Sequence, residues 1–522
     1  MKKILLIIIA GIVCWNSSAQ TTIAVNEIYA PDGGATIYDL VETDDGGLLL
    51  LAGSIKQDSV MNCSLPGFGT YIWMIKQNAD GDVEWQRCYG GNKDERPIRL
   101  LKVQGGYVFC ASTKSNGGDV SGNHGQTDVW VVKIDLDGNI IWQKCYGGSV
   151  SDDPDYFMQT GNGCFVFTAN TRSIDGDVPV HYNNIFYVDA WICKIDPDGN
   201  VMQSIVFEGS GDDYLYYALE DDTTLLFCGW TQSYDLDFDN MTSYGGSSDA
   251  WLLKTDSNLN IIYNKKIGGL GGESLNSILK VNGGFLLTGR TDSDDGLFTD
   301  NHGFDDAWLL KLDSQLNHVW QKCIGGSGSD GTGVRSLRVN ENFMIVSGTS
   351  TSSDGDLNGN NGFVDYWLIG IDSTGSAVIS KNYGGTKAEY PQDMFKTNAG
   401  IVYLPGYSLS NDLDVPYHSE SSAGWLLGLS GVTIVAEPVN THKIIIYPNP
   451  ADEIVNFDLN LIDQGRTLYL QLYNQLGERI LSKKIRNDKE AIIIKRFAAG
   501  LYLYSIVTEN GTKLISGNLI IQ

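Results

Sequence analysis

Residues 128–148 read DVWVVKIDLDGNIIWQKCYGG, and this stretch decides the fold. Two apolar runs, Asp128 to Ile134 and Asn139 to Tyr146, flank Asp137-Gly138, a dipeptide that makes a tight hairpin turn. Gly147-Gly148 closes the unit. Working outward, Pro97 to Val103 and Tyr107 to Ser112 read as two more strands joined at Gly105-Gly106, and a polar loop from Lys114 to Thr127 leads back into the quoted stretch. The unit is therefore four strands, a to d, with short a–b and c–d turns and a long b–c loop.

The unit repeats. Trp73, Trp130, Trp191, Trp251, Trp308, Trp367 and Trp425 recur at separations of 57, 61, 60, 57, 59 and 58 residues. Asp128, Asp189, Asp249, Asp306 and Asp365 stand two residues before five of them. The double glycine returns as Gly90-Gly91, Gly268-Gly269, Gly325-Gly326 and Gly384-Gly385. A fixed period of this length marks a repeat architecture. The last unit has strands a, b and c, through Trp425, and no strand d, while an unassigned strand, Thr22 to Tyr29, precedes the first unit. The expectation is an all-β, seven-bladed β-propeller whose N-terminal strand completes the last blade, a closure that leaves no open sheet edge. The seven tryptophans on strand c are expected in the core, because an aromatic of that size buries about 150–250 Å².

Composition narrows the function. The chain of 522 residues carries 63 acidic and 36 basic side chains, a net charge of −27, with 61 glycines. That balance argues against nucleic acid, whose phosphates need clustered Lys and Arg, and against an anionic membrane surface. Lys2 and Lys3, the apolar run Ile4 to Trp15 and the small residues Ser17-Ser18-Ala19 read as a signal peptide over residues 1–19. No other segment has transmembrane length. Cys88, Cys145 and Cys323 hold one place in different repeats, and Cys110 and Cys228 share another; such residues lie in separate blades and read as small buried thiols, with disulfide connectivity left open.

After Trp425 the repeat stops. Residues 20–434 are assigned to the propeller, 435–442 to a linker and 443–522 to a second domain with ten basic and eight acidic residues. Seven short strands in this tail predict a small Ig-like β-sandwich: Ile444 to Tyr447, Ile454 to Leu459, Leu468 to Tyr473, Glu478 to Ile485, Ala491 to Ile494, Leu501 to Val507 and Thr512 to Ile521.

Two resemblances follow. The pattern Asp-Xaa-Trp, Lys-Ile-Asp, Asp-Gly-Asn, Trp-Gln-Lys-Cys-Tyr-Gly-Gly resembles the repeats of secreted bacterial β-propellers found in cell-surface proteins, over about residues 22 to 430. The motifs Tyr447-Pro448-Asn449-Pro450, Leu472 to Gly477, Ala499-Gly500-Leu501-Tyr502 and the terminal run Lys513 to Ile521 resemble the type A sorting domain of the type IX secretion system of Bacteroidetes. The second resemblance implies export, recognition of residues 443–522 by the type IX machinery, and an extracellular or outer-membrane-surface location.

The candidate binding residues sit in the b–c loops: Asp175 and Asp177, Asp354 and Asp356, Asp412 and Asp414, with His124 and His302. Carboxylates at this spacing are a candidate Ca²⁺ site; the competing reading is that Asp and Gly simply form turns. No nucleophile elbow, phosphate loop or HExxH occurs. The function read from the sequence is a non-catalytic module that binds a glycan or a protein. The alternatives are a carbohydrate-active enzyme using paired loop carboxylates and a purely structural surface protein.

Overall fold

The hairpin at residues 135–139 shows how the repeat pattern becomes structure. Asp135 Oδ1 accepts the N–H groups of Asp137 (3.0 Å) and Asn139 (2.8 Å), and Asn139 Nδ2 donates to Asp135 Oδ2 at 2.9 Å. The carboxylate thus satisfies the turn itself, as Asx turns do. Asp196, Asp256 and Asp313 repeat the arrangement.

The computed structural model describes residues 21–30, 34–55, 69–181, 186–239, 241–242, 244–298, 300–357, 359–418, 422–432, 445–447, 453–458, 468–474, 478–485, 489–508 and 513–521. The expected signal peptide, the linker, Pro448, Asn449, Pro450 and Gly477 lie outside the described residues. Apart from a three-residue 3-10 turn, Leu236–Phe238, the described elements are strands.

Six antiparallel four-stranded sheets follow one another in sequence order. The second, for example, is built from Glu95–Val103, Gly106–Thr113, Asp128–Ile134 and Ile140–Tyr146, strands a to d. The seventh sheet takes its c strand, Ala423–Ser430, from one end of the repeat and its d strand, Thr22–Tyr29, from the other. Thr22 pairs with Ser430 and Tyr29 with Gly424. The structure is the expected seven-bladed propeller, closed by its N-terminal strand. Strand a of the seventh blade is split into Glu389–Pro391 and Phe395–Lys396.

Burial explains the strand order. Strands b and c lie between neighbouring blades and are apolar on both faces; Asp306–Leu312 is buried at every residue. Strand d is an edge and only partly buried, as Ile140–Tyr146 is. Every blade-to-blade junction carries its own buried apolar cluster, including that between the seventh and first blades, where Tyr403 and Leu426 pack with Ile37, Leu50 and Trp73.

The seven tryptophans are the largest fully buried side chains. A buried indole N–H needs an acceptor, and the d strand supplies it: Gln86, Gln143, Ser204, Asn264 and Gln321 accept from Trp73, Trp130, Trp191, Trp251 and Trp308. In the seventh blade the acceptor is Asn26 Oδ1, 2.8 Å from Trp425 Nε1. The closing strand therefore completes the hydrogen bonding of that blade as well as its sheet. Trp367 departs and donates to the Thr349 carbonyl.

The chain divides into two compact units, 1–434 and 435–522. In the second, a sheet of Ile445–Tyr447, Ile454–Asp458 and Lys489–Ile493 and a sheet of Arg479–Lys484, Leu468–Tyr473, Gly500–Thr508 and Lys513–Ile521 share one core. Val455, Phe457 and Ile492 meet Leu470, Leu472, Tyr504 and Ile506 there, which is the expected sandwich.

Candidate functional site

Each b strand ends in a hydroxyl residue, and in six of the seven blades that hydroxyl has one task; in the first blade Ser54 donates to the Gly34 carbonyl instead. Thr113, Thr171, Thr231, Thr291, Ser350 and Ser408 donate to the acid at or just before the start of strand a of the same blade: Glu95, Asp152, Asp213, Glu273, Asp330 and Glu389. Five of the six acids also accept a backbone N–H of the d–a turn, as Asp152 does from Gly148 at 2.7 Å and Glu389 from Gly385 at 2.9 Å. This repeated clasp ties each blade to the preceding one.

The loop residues singled out in the sequence join these clasps. Asp175 Oδ1 accepts the Ser149 N–H at 2.7 Å, Asp354 Oδ1 that of Ser327 at 2.8 Å, and Asp412 Oδ1 that of Thr386 at 2.9 Å. Their partners Asp177, Asp356 and Asp414 donate backbone N–H groups to Gly147, Gly325 and Gly384. These hydrogen bonds hold the first carboxylates below the ordinary range. His124 and His302 each bond the aspartate four residues on, Asp128 at 2.7 Å and Asp306 at 2.8 Å. The structure keeps the three Asp-Xaa-Asp pairs and the two histidines in their separate blades. Among the described residues no group of three or more His, Cys, Asp or Glu side chains could hold a metal ion.

The aspartate two residues before five of the repeated tryptophans also meets the clasp. A Cβ built on Gly147 would lie 2.7 Å from Asp152 Oδ2 and 3.0 Å from Asp128 Oδ1. At Gly384 the corresponding distances are 2.4 Å to Asp365 Oδ1 and 2.5 Å to Glu389 Oε2. Only glycine fits between two carboxyl groups that approach this closely. Burial pushes Asp128, Asp249 and Asp306 up; burial, then the adjacent Glu389, pushes Asp365 to about 7. Burial carries Asp213 to about 8. Such pairs favour sharing one proton over double ionisation.

A different set of residues gathers at the centre. Successive a strands touch around the ring. In the first five blades each carries a bulge at the same place: Tyr38, Ile98, Asp155, Tyr216 and Asn276. Bulges re-aim side chains and are common beside functional sites. The residue just before the fixed hydroxyl varies in every blade: Gly53, Ser112, Asn170, Trp230, Arg290, Thr349 and Tyr407.

In the fourth to sixth blades these positions enclose a cavity of about 430 Å³ lined by Tyr216, Trp230, Gln232, Asn276, Arg290, Thr332 and Arg335, among others. Tyr214 stacks on Trp230, with centroids 4.6 Å apart and planes 17° apart. Trp230 Nε1 donates to the Tyr216 hydroxyl at 2.8 Å. The indole is thereby held half-buried in a fixed plane at the cavity wall. Nearby Asp155 is pushed by burial to about 8; Asn170 donates to its Oδ1, and its buried Oδ2 has no hydrogen-bond partner. Gln232, Ser247 and Ser248 belong to the b–c loop of the fourth blade; the other lining residues lie outside the b–c loops, where the sequence reading placed the site.

Comparison with known proteins bears first on the tail. Residues 445–522 match the secretion system C-terminal sorting domain family. The tail marks this chain for export by the type IX secretion system to the cell surface or the extracellular space. Within it, Tyr447 ends a strand paired with Asn456, Gly500 opens another, and buried Tyr502 donates to the Ala498 carbonyl at 2.8 Å. No described helix is long and apolar enough to cross a membrane. No curated protein matches the chain. Among solved structures, PorZ, a surface component of the type IX secretion system of Porphyromonas gingivalis, is 9% identical with a TM-score of 0.24, over 93% of this chain and 81% of that one. An apocarotenoid oxygenase of Synechocystis is 11% identical with a TM-score of 0.37, over 77% and 93%. At such values it is the sheet order that establishes the fold.

Proposed function

We propose that the propeller is a non-catalytic binding module which holds a glycan at the centre of the ring, between the fourth and sixth blades. The observation that carries this reading is Trp230, held flat by Tyr214 and Tyr216 at the wall of a cavity rich in hydrogen-bonding groups. Sugar rings present C–H faces that stack on aromatic planes and hydroxyl rims that need fixed donors and acceptors, and such cavities combine both. Residues that differ at one repeat position, on a scaffold that otherwise repeats, are where a propeller specifies a ligand. Surface delivery by the sorting tail puts such a site in contact with extracellular polysaccharide.

The test is a glycan array probed with the secreted protein and its Trp230→Ala variant. Binding confined to a class of glycans and lost in the variant supports the reading; equal binding by the variant refutes it. A second reading, a carbohydrate-active enzyme, is favoured by Asp155, a carboxyl kept protonated near neutral pH as a general acid must be. Release of shorter sugars from the bound polymer would select it.

A further inference from the structure

Among 63 acidic residues in the chain, none of the described ones lines the cavity, whereas two arginines do. Arg290 stands towards the rim, with Asp305 at 3.6 Å. Arg335, on the a strand of the sixth blade, reaches across the junction and donates through Nη1 to the Asn276 carbonyl at 3.0 Å. No described carboxylate pairs with its guanidinium, and the titratable groups around it are Arg99, the neutral phenols of Tyr156 and Tyr217 and the Cys228 thiol. Burial therefore pushes Arg335 down.

Arg99, on the a strand of the second blade, shows what a compensated arginine looks like in the same ring. It pairs with Asp39 at 3.4 Å and with Asp393, and its guanidinium lies over Tyr156 at 5.3 Å. Two arginines thus sit near each other at the centre, one held by two acids and one by none. Arg335 is half-buried; an unpaired charge so placed opposes folding and is kept where a ligand supplies the counter-charge.

Building on the glycan reading, we propose that the ligand is an acidic sugar whose carboxylate pairs with Arg335, with Arg290 nearer the rim. The planar fork of a guanidinium matches two carboxylate oxygens. One uncompensated arginine also calls for a single negative charge. The sugar ring then meets Trp230, and its hydroxyls meet Asn276, Thr332 and Gln232.

The experiment titrates the secreted protein with oligogalacturonate, oligomannuronate and hyaluronan fragments, each beside its carboxyl-reduced counterpart, and with a sulfated neutral galactan fragment. The proposal expects at least one acidic probe to bind about tenfold or more tightly than its reduced form, and to weaken with added salt. It expects Arg335→Gln to erase that preference while melting no lower than the wild type, since the substitution removes an unpaired charge. Equal binding of acidic and reduced probes overturns the carboxylate and leaves the glycan reading standing. Preference for the sulfated fragment overturns the carboxylate in favour of sulfate. Failure of every probe, neutral forms included, overturns both readings. Arg335→Gln retaining the preference overturns the assignment of the arginine.

Discussion

Replacing Asp365 by asparagine tests the carboxyl pair at the junction of the sixth and seventh blades. Asp365 Oδ2 accepts the Asn361 N–H at 2.6 Å, while its buried Oδ1 faces the Glu389 carboxyl and no other hydrogen-bonding group. Burial and Glu389 raise the carboxyl from 3.8 to about 7. The folded chain therefore holds this proton more tightly than the unfolded one. The stability it contributes is complete below about pH 4 and is lost as the pH rises through 7. Unscreened, a displacement of this size corresponds to about 4 kcal/mol; solvent screening at the loop end of the blade reduces it to about 1–2 kcal/mol. Asparagine keeps the shape, keeps an acceptor for Asn361 and turns an amide donor towards Glu389. Urea unfolding of wild type and Asp365→Asn across pH 4 to 8 should show a gain for the variant that starts near zero, grows with pH and levels off above about 7. A variant destabilised equally at all pH values would mean that Asp365 works as an ionised acceptor, and the shared-proton reading would fail.

Trp251→Ala should destabilise the propeller by about 3–5 kcal/mol, because it removes an indole packed on Phe207 and Phe238 and leaves Asn264 Oδ1 without its donor; urea unfolding checks this, and a loss below about 1 kcal/mol would contradict it. Chelator should leave the melting temperature unchanged, since the carboxylates of Asp175, Asp354 and Asp412 accept backbone N–H groups; a marked rise on adding Ca²⁺ would restore them as ligands. Removing residues 443–522 should strand the propeller in the periplasm, as fractionation of the truncated strain would show, and normal secretion would defeat the sorting role.

The fold was legible because it repeats. Trp73 to Trp425 set the period, and the strand Thr22–Tyr29, left over at one end, matched the strand missing at the other. The tail was legible from its turn-separated apolar runs, which fall within a residue or two of the observed strands. The central cavity was not. Its key residues, Trp230 and Arg290, lie on b strands next to repeated hydroxyls and look like ordinary β-strand composition one blade at a time. Trp230 reads as one more strand aromatic until the seven b strands are set side by side, when Gly53, Ser112, Asn170, Trp230, Arg290, Thr349 and Tyr407 stand out as the position that differs. The Asp-Xaa-Asp loops drew attention for the opposite reason. Repeated acids look like ligands in a sequence, whereas here backbone N–H groups of the neighbouring turn occupy them, and only the ring geometry brings those groups to them.

The most direct test of the central claim is the crystal structure of the propeller with a bound acidic oligosaccharide. The account predicts sugar in the cavity of about 430 Å³, with a ring against Trp230 and a carboxylate on Arg335. Sugar on the loops of Asp175, Asp354 or Asp412, with the cavity holding only water, would contradict it.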